Sequence, residues 1–359
     1  MSRTVLLNPG PVNVTDRVRQ ALMLPDLCHR EKEFTDLMAA IRAKLLRAFD
    51  IEEEYTSVLV SGSGTAALEM AVSSSLSPGR SMLVIQNGVY GERIGKICDI
   101  YQFNRHTIKL SWGEPPNLED IEKELKENPD IEVVALVHHE TTTGLLNPLK
   151  EVGELARRYE KIYLVDCISS LAGDEIDFKS IDIAVGTANK CIQGFPGVSF
   201  VLLRKKDLER LRKIPERSLY FNLTGYHKAQ EKGGLLFTPA IPAHYALDVA
   251  LDELIEETVA SRVQRYADAA KILRTGFKDI GLEFLIPEGW RSNCLTGLRL
   301  PKGVGYEKLH AELKANGFII YAGQGNLSDT IFRIANMGDI TNEEFERFLQ
   351  ILKTTCSNF

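Results

Sequence analysis

The lysine at position 190 is the residue of this chain best suited to covalent chemistry. It lies in the segment TANKCIQGFPG, residues 187–197, which follows an apolar run and holds too many small and breaking residues for a plain helix. A lysine among Ala, Cys and Ile loses solvation, and this loss disfavours its ammonium form. The remaining neutral amine can form a Schiff base with a carbonyl group. Because most single lysines are solvated surface residues, the prediction depends on what the fold places beside Lys190.

Two other polar segments also come directly after apolar runs. Asp166 follows residues 162–165, and the segment SGSGTAA, residues 61–67, follows residues 57–60. In an open α/β sheet, ligand sites collect at the carboxyl ends of the strands. A carboxylate there could keep the pyridine nitrogen of pyridoxal 5′-phosphate (PLP) protonated, which makes the ring an electron sink. Asp166 could equally be a helix cap or a solvated loop acid.

The glycine-rich segment has more than one interpretation. The spacing of Gly62 and Gly64 fits a permissive dinucleotide-binding pattern. That pattern also calls for an acidic residue about twenty positions later, at the end of the next strand, where this chain has Gln86. A cradle for a single phosphate, with hydroxyl groups from Ser63 and Thr65, fits better because small residues let backbone N–H groups approach the anion. A plain strand-to-helix turn remains an alternative.

Two further segments follow predicted strands and could contribute to a ligand site. The segment HHETTTG, residues 138–144, offers three threonine hydroxyl groups. Its two histidines, His138 and His139, would point to opposite faces of a strand, so we expect no metal there. Tyr90, between Asn87-Gly88 and Gly91, could stack on an aromatic ring or be an ordinary, partly buried tyrosine.

Short apolar runs alternate with longer amphipathic ones through the first two thirds of the chain. The predicted strands cover residues 57–60, 82–85, 133–138, 162–165, 181–185 and 198–203. The predicted helices cover residues 34–49, 65–74, 117–127 and 150–159. This alternation predicts a mainly parallel sheet with helices on both faces, an α/β fold.

The pattern changes after about residue 242. We predict one long helix over residues 243–280, strands at 283–286, 294–300, 318–321 and 330–334, and helices at 306–316 and 341–353. Thr341 and Glu344 have the spacing of a capping box at the start of the last helix. These elements predict a smaller α+β domain, with an N-terminal arm over residues 1–14, a large domain over 15–255 and a small domain over 256–359.

Composition argues against several classes of protein. The chain has 359 residues, a net charge of −6 and no basic block, so we expect no nucleic-acid partner. We expect no signal peptide, because the apolar run near residue 5 is too short, and no apolar stretch approaches membrane-spanning length. Six scattered cysteines without a CxxC pair indicate a reducing compartment, and we predict a cytoplasmic protein.

The order and spacing of these motifs resemble the class-V, fold-type-I aminotransferases, a family that includes alanine–glyoxylate and serine–pyruvate aminotransferases. The matching segments are residues 61–67, 87–91, 140–148, 165–170 and 187–197. Residues 7–11, with Asn8 in place of a threonine, and residues 332–334 also resemble motifs of the family. Residues 138–148 and 188–197 resemble in particular the members that act on 2-aminoethylphosphonate and pyruvate. The likeness extends over nearly the whole chain.

The resemblance implies a role for each matching residue. Lys190 would hold PLP as a Schiff base and move the substrate proton, and Asp166 would pair with the pyridinium nitrogen. Further cofactor contacts are implied for Tyr90 (ring stacking), Ser63, Gly64 and Thr65 (phosphate), Thr141 (phenolic oxygen), Asn189 (where relatives often have a phosphate-binding glutamine) and Thr238 (phosphate of the neighbouring subunit). Arg333 would bind the acidic group of the substrate. His139 stands where a serine is expected, and it receives no role.

The implied activity is a reversible transfer of the amino group of 2-aminoethylphosphonate to pyruvate by a homodimer with shared active sites. An alanine– or serine–glyoxylate aminotransferase is the nearest alternative; a PLP lyase and a non-catalytic PLP-binding domain are more distant ones. A phosphonate with two charges calls for a second cation, and Arg30 and Arg217 are the candidates. The sequence leaves open the physiological direction and whether the chain is part of a longer fusion.

Overall fold

The computed structural model describes residues 3–357, which form strands β1–β14 and helices α1–α12. The strands are β1 (Val5–Leu6), β2 (Tyr55–Gly62), β3 (Ser81–Gln86), β4 (Asn104–Lys109), β5 (Ile131–Val137), β6 (His139–Glu140), β7 (Leu145–Leu146), β8 (Ile162–Asp166), β9 (Ile183–Thr187), β10 (Gly197–Arg204), β11 (Leu295–Arg299), β12 (Phe318–Ile319), β13 (Tyr321–Ala322) and β14 (Ile331–Ala335). The helices are α1 (Asp16–Ala21), α2 (Lys32–Ala48), α3 (Gly64–Ser75), α4 (Val89–Ile100), α5 (Leu118–Glu127), α6 (Leu149–Arg158), α7 (Leu208–Leu211), α8 (Leu223–Glu231), α9 (Ile241–Glu257), α10 (Val259–Ile280), α11 (Tyr306–Ala315) and α12 (Asn342–Ser357).

The largest sheet has seven strands in the order β2-β10-β9-β8-β5-β3-β4. Only β10 is antiparallel to its neighbours, so the predicted mainly parallel sheet is confirmed. All six predicted strands of this region form. We did not predict the seventh strand, β4, because Asn104–Lys109 is largely polar. A strand at the edge of a sheet, such as β4, can have a polar sequence.

Helices cover both faces of this sheet, as predicted. On β5, Val134 and Leu136 join the apolar cluster under α2, α5, α6 and α9, whereas Val133, Ala135 and Val137 join the cluster under α3 and α4. Successive strand residues point to opposite faces, so one strand serves both cores. Each fully buried Val or Leu stabilises the fold by roughly 1.5–3 kcal/mol.

A third apolar cluster forms the core of the smaller unit. Strands β11, β14 and β13 form an antiparallel sheet, and α10 and α12 pack beside it. Near the N-terminus, Val5 and Leu7 belong to this cluster, and β1 pairs with β12. The predicted capping box is confirmed: Thr341 N donates to Glu344 Oε2 (3.0 Å), and Glu344 N donates to Thr341 Oγ1 (3.3 Å). The domain boundaries given above stay predictions.

The long helix predicted over residues 243–280 is wrong, because α9 and α10 are separate helices. Thr258 breaks the helix with φ 71° and caps α10 through a hydrogen bond from Ser261 N to its Oγ1 (3.2 Å). Glu257 accepts hydrogen bonds from Arg262 Nε and Arg265 Nε, both 2.7 Å. The two ion pairs join residues only five and eight positions apart, and they lie at a break that the sequence does not mark with Gly or Pro.

The structure adds two smaller findings. Residues 283–286 form only an isolated bridge, Phe284 to Leu298, instead of the predicted strand. The segment around Tyr90 begins helix α4, for which we made no prediction. None of the described helices combines the length and apolar character needed to cross a membrane.

Candidate active site

A cavity opens at the carboxyl edge of the large sheet, where β2, β5, β8 and β9 end. Its volume of about 160 Å³ is several times the ~30 Å³ that one water takes up, so a small molecule fits better than a lone ion. Among the residues predicted for the site, those that line the cavity are Ser63, Gly64, Thr65, Tyr90, Thr141, Asp166, Asn189 and Lys190.

Lys190 lines this cavity, and its side chain is half-buried. Burial lowers the pKa of Lys190 to about 8, and the charges of Arg333 and Arg93 act in the same direction. Nζ donates a hydrogen bond to the carbonyl of Pro9. Gly10 adopts φ 97°, and a Cβ there would lie 2.7 Å from Lys190 Cδ, so the approach of the N-terminal segment to the lysine requires glycine.

Asp166 ends β8 on the same edge and is 3% exposed. Its Oδ1 accepts a hydrogen bond from Ile168 N at 2.9 Å, which orients the carboxylate. Burial raises the pKa of Asp166 to about 6, while the hydrogen bond from Ile168 and the charges of Arg93 and Lys190 oppose the increase. The group is therefore mostly ionised at neutral pH and can pair with a cationic ring nitrogen.

The start of helix α3 forms a cradle for an anion. Ser63 occupies the N-cap position, but its hydroxyl makes no capping hydrogen bond. The first-turn N–H groups of a helix lack partners within the helix and attract negative charge. A Cβ on Gly64 would lie 2.7 Å from Ile168 Cδ1, so glycine lets this turn pack against the loop after Asp166. These features fit a phosphate group.

Tyr90 is held at the cavity by a buried carboxylate. Glu140 Oε2 accepts hydrogen bonds from the backbone N–H groups of Tyr90 (3.2 Å) and Gly91 (3.1 Å), at the start of α4. Burial raises the pKa of Glu140 to about 7, and hydrogen bonds from Thr142 and Gly91 oppose this increase. The positive end of the helix dipole favours an acid here.

Arg333, on β14 of the smaller unit, does not line the cavity itself but contacts Thr141, which does. Arg333 is 3% exposed, and its Nε and Nη1 donate to the carbonyls of Ala322 (2.8 Å) and Thr141 (2.9 Å). Burial lowers its pKa. Across residues 3–357, no carboxylate forms an ion pair with Arg333, so its charge remains available to an anion.

Three predicted residues lie elsewhere in the chain. Arg30 and Thr238 line a separate groove of about 490 Å³. Arg217 Nη1 donates to the carbonyl of Ser73 (2.9 Å), and its guanidinium stacks 4.6 Å from the centre of the Phe103 ring. The single chain does not bring these three side chains to the cavity, and their roles stay predictions.

The sequence interpretation missed Arg93, which lines the cavity. Its Nη1 donates to Thr65 Oγ1 (3.0 Å), and its guanidinium lies 4.6 Å from the centre of the Tyr90 ring. Residues three positions apart share a helix face, so predicting α4 would have placed Arg93 beside Tyr90.

His139, which the sequence left without a role, also lines the cavity. Its Nδ1 lies 3.2 Å from Ser292 Oγ, which in turn donates to Asp174 Oδ2 (2.7 Å). Burial lowers the pKa of His139 to about 3, so the imidazole stays neutral.

One cavity at the edge of the α/β sheet is therefore lined by Lys190, Asp166 and the N-terminus of helix α3. The arrangement is typical of PLP-dependent enzymes with an α/β fold.

Comparisons with known proteins agree with this class. The sequence matches the family "Aminotransferase class-V" over residues 19–324. The 2-aminoethylphosphonate–pyruvate transaminase of Bacillus cereus (strain G9842) is 38% identical and covers 96% of both chains; that of Bacteroides fragilis (strain YCH46) is 34% identical and covers 99% of both. The crystal structure of an alanine–glyoxylate aminotransferase from Nostoc sp. superposes with a TM-score of 0.93 at 28% identity, over 99% of this chain and 96% of that one. The chain belongs to the class-V aminotransferases, and its cofactor is PLP.

Proposed function

We propose that this aminotransferase moves the amino group of 2-aminoethylphosphonate to pyruvate and so forms phosphonoacetaldehyde and L-alanine, reversibly. Relatives of this name match the chain over nearly its full length. The observation in the site that best supports the proposal is Arg333, a buried guanidinium whose hydrogen bonds go only to neutral carbonyls. A buried cation without a counter-charge is costly to fold unless an anionic ligand completes the site.

Lys190 would hold PLP covalently through Nζ and later act as the proton carrier. When bound, PLP supplies the electron sink for the charge left when the carbon beside the substrate amine loses its proton. A pKa of about 8 leaves a useful fraction of Nζ unprotonated near neutral pH, so the same amine can attack a carbonyl carbon and accept that proton.

The other cavity residues would position the cofactor. Asp166, fixed by Ile168 N, would keep the ring nitrogen protonated. Tyr90, held by Glu140, would stack on the ring face, and Thr141 would donate its hydroxyl to the phenolic oxygen. The residues at the start of α3 and Asn189 would hold the phosphate.

Arg333 would bind the acidic group of both substrates in turn. A guanidinium fork pairs in two-point fashion with a carboxylate or with a phosphonate, so one residue can serve pyruvate, alanine and 2-aminoethylphosphonate. The contact between Arg333 and the Thr141 carbonyl (2.9 Å) keeps this fork beside the residue assigned to the cofactor.

The active unit proposed is a homodimer in which Thr238 contacts the phosphate bound by the neighbouring subunit. Thr238 lines a groove outside the cavity of its own chain, so a contact between Thr238 and a bound phosphate would be made in a neighbouring subunit. A reducing compartment such as the cytoplasm is proposed because all six cysteines are free thiols.

The substrate proposal is tested by offering two pairs in parallel: 2-aminoethylphosphonate with pyruvate, and alanine or serine with glyoxylate. We expect the higher kcat/KM for the phosphonate pair. A higher value for the glyoxylate pairs would overturn the substrate assignment and leave the family and cofactor unchanged.

A further inference from the structure

Arg93 lines the cavity, and no carboxylate of residues 3–357 forms an ion pair with it. Its polar partner is a neutral hydroxyl, Thr65 Oγ1 at 3.0 Å, and its planar group stacks on Tyr90. Its charge lowers the pKa of both Asp166 and Lys190, so its field reaches the centre of the site. An arginine in such a place attracts an anionic ligand.

The position of Arg93 indicates what kind of anion it would meet. Thr65 belongs to the first turn of α3, where unpaired N–H groups and the helix dipole already attract negative charge. The guanidinium and the helix N-terminus therefore favour a tetrahedral oxyanion, which has enough oxygens for both. Stacking on Tyr90 limits the freedom of the guanidinium, so less entropy is lost when an anion binds.

We propose that Arg93 is an anion-binding residue of the cavity and takes a phosphorus oxyanion: the phosphate of the cofactor or the phosphonate of the amino donor. If the ligand of Arg93 is the phosphonate of the amino donor, the proposal depends on the function proposed above. If the ligand is the phosphate of the cofactor, the proposal depends only on the family. In addition to Arg333, Arg93 supplies the second guanidinium that a doubly charged phosphonate calls for. Arg93 lines the cavity, which neither Arg30 nor Arg217 does in the single chain.

The first arm of the test measures binding of pyridoxine 5′-phosphate to the full chain freed of cofactor, by titration calorimetry. This alcohol cannot react with Lys190, and pyridoxine, which lacks the phosphate, is the paired probe. If Arg93 holds the phosphate, Arg93→Gln weakens binding of the phosphate ester about 10- to 100-fold, as expected for a hydrogen bond to a charged group, and leaves pyridoxine unchanged. Arg93→Lys keeps the charge without the fork and loses less.

The second arm uses the PLP-loaded protein and measures dissociation constants in single-turnover half-reactions with 2-aminoethylphosphonate and with L-alanine. If Arg93 holds the phosphonate, Arg93→Gln raises the constant for 2-aminoethylphosphonate by a similar factor and leaves that for alanine unchanged. Failure of the phosphonate to react at all would refute the proposed function, while the calorimetric arm would still decide the role of Arg93.

Arg291→Gln is the matched control. Arg291 is also half-buried, stacks 4.1 Å from the Phe284 ring centre and donates to a neutral carbonyl, that of Ile286, outside the cavity lining. The proposal is overturned if Arg93→Gln changes neither arm, if it weakens pyridoxine as much as its phosphate, or if Arg291→Gln gives the same losses. Thermal unfolding of each variant verifies that the fold is intact.

Discussion

The reactivity of Lys190 should follow a pKa far below that of an ordinary lysine. With a pKa of about 8 instead of 10.5, about 9% of the amine is unprotonated at pH 7, compared with about 0.03% for a solvated lysine. The Lys190 amine should thus react with an aldehyde about 300-fold faster at pH 7 than its solvated counterpart, at equal intrinsic reactivity.

The assay mixes the cofactor-free chain with excess PLP and follows covalent capture by absorbance from pH 6 to pH 11. We expect the rate constant to rise through a midpoint near pH 8 and then level off. Asp166→Asn should lower this midpoint, because the Asp166 charge raises the pKa of Lys190. Lys190→Ala reports the background from surface lysines. A midpoint near 10.5 in the native chain would refute the argument that burial activates the amine.

Four further predictions concern the roles of neighbouring groups. Asp166→Asn should lower kcat on the order of 10²-fold or more, since the variant cannot keep the ring nitrogen charged; an unchanged kcat at full cofactor content would contradict this. Mixing Lys190→Ala with Thr238→Ala subunits should restore one intact site per heterodimer, which activity after subunit exchange would detect; no recovery would argue against a shared site. Arg333→Lys should weaken both half-reactions in single-turnover measurements, because lysine lacks the two-point contact, and unaltered constants would place the acidic group elsewhere. Finally, the pKa of Glu140 is about 7 in the folded chain, against 4.5 in an unfolded chain, so the free energy of unfolding should fall as pH rises from about 4.5 to 7. Denaturant titrations should show a smaller fall for Glu140→Gln. The prediction is contradicted if the free energy of unfolding depends on pH in the same way in the variant and the native chain.

Local pattern was sufficient for most of the fold. The apolar runs that became β2, β3, β5, β8, β9 and β10 are bounded by small or polar residues, so their positions could be predicted before any contact was known. The capping box at Thr341 was equally local. The break at Thr258 could not be predicted, because neither Gly nor Pro marks it and the ion pairs of Glu257 with Arg262 and Arg265 that lie there are not part of a propensity argument.

What the sequence determined by itself was the chemistry available: an activatable lysine, a strand-end acid and a phosphate cradle, each on a separate strand of one sheet. These groups lie close together because of the order of the strands in the sheet. The sequence already implied this proximity, because ligand sites in α/β sheets collect at the carboxyl ends of the strands. Only the tertiary structure decided the electrostatics. It buried part of the side chain of Lys190 and placed no carboxylate in an ion pair with Arg333 or Arg93. It also brought the carboxylate of Glu140 within hydrogen-bond distance of the backbone N–H group of Tyr90. Burial and ion pairing depend on residues that are distant in sequence. A shift in pKa, or a charge without an ion-pair partner, therefore arises only when those residues pack around the group.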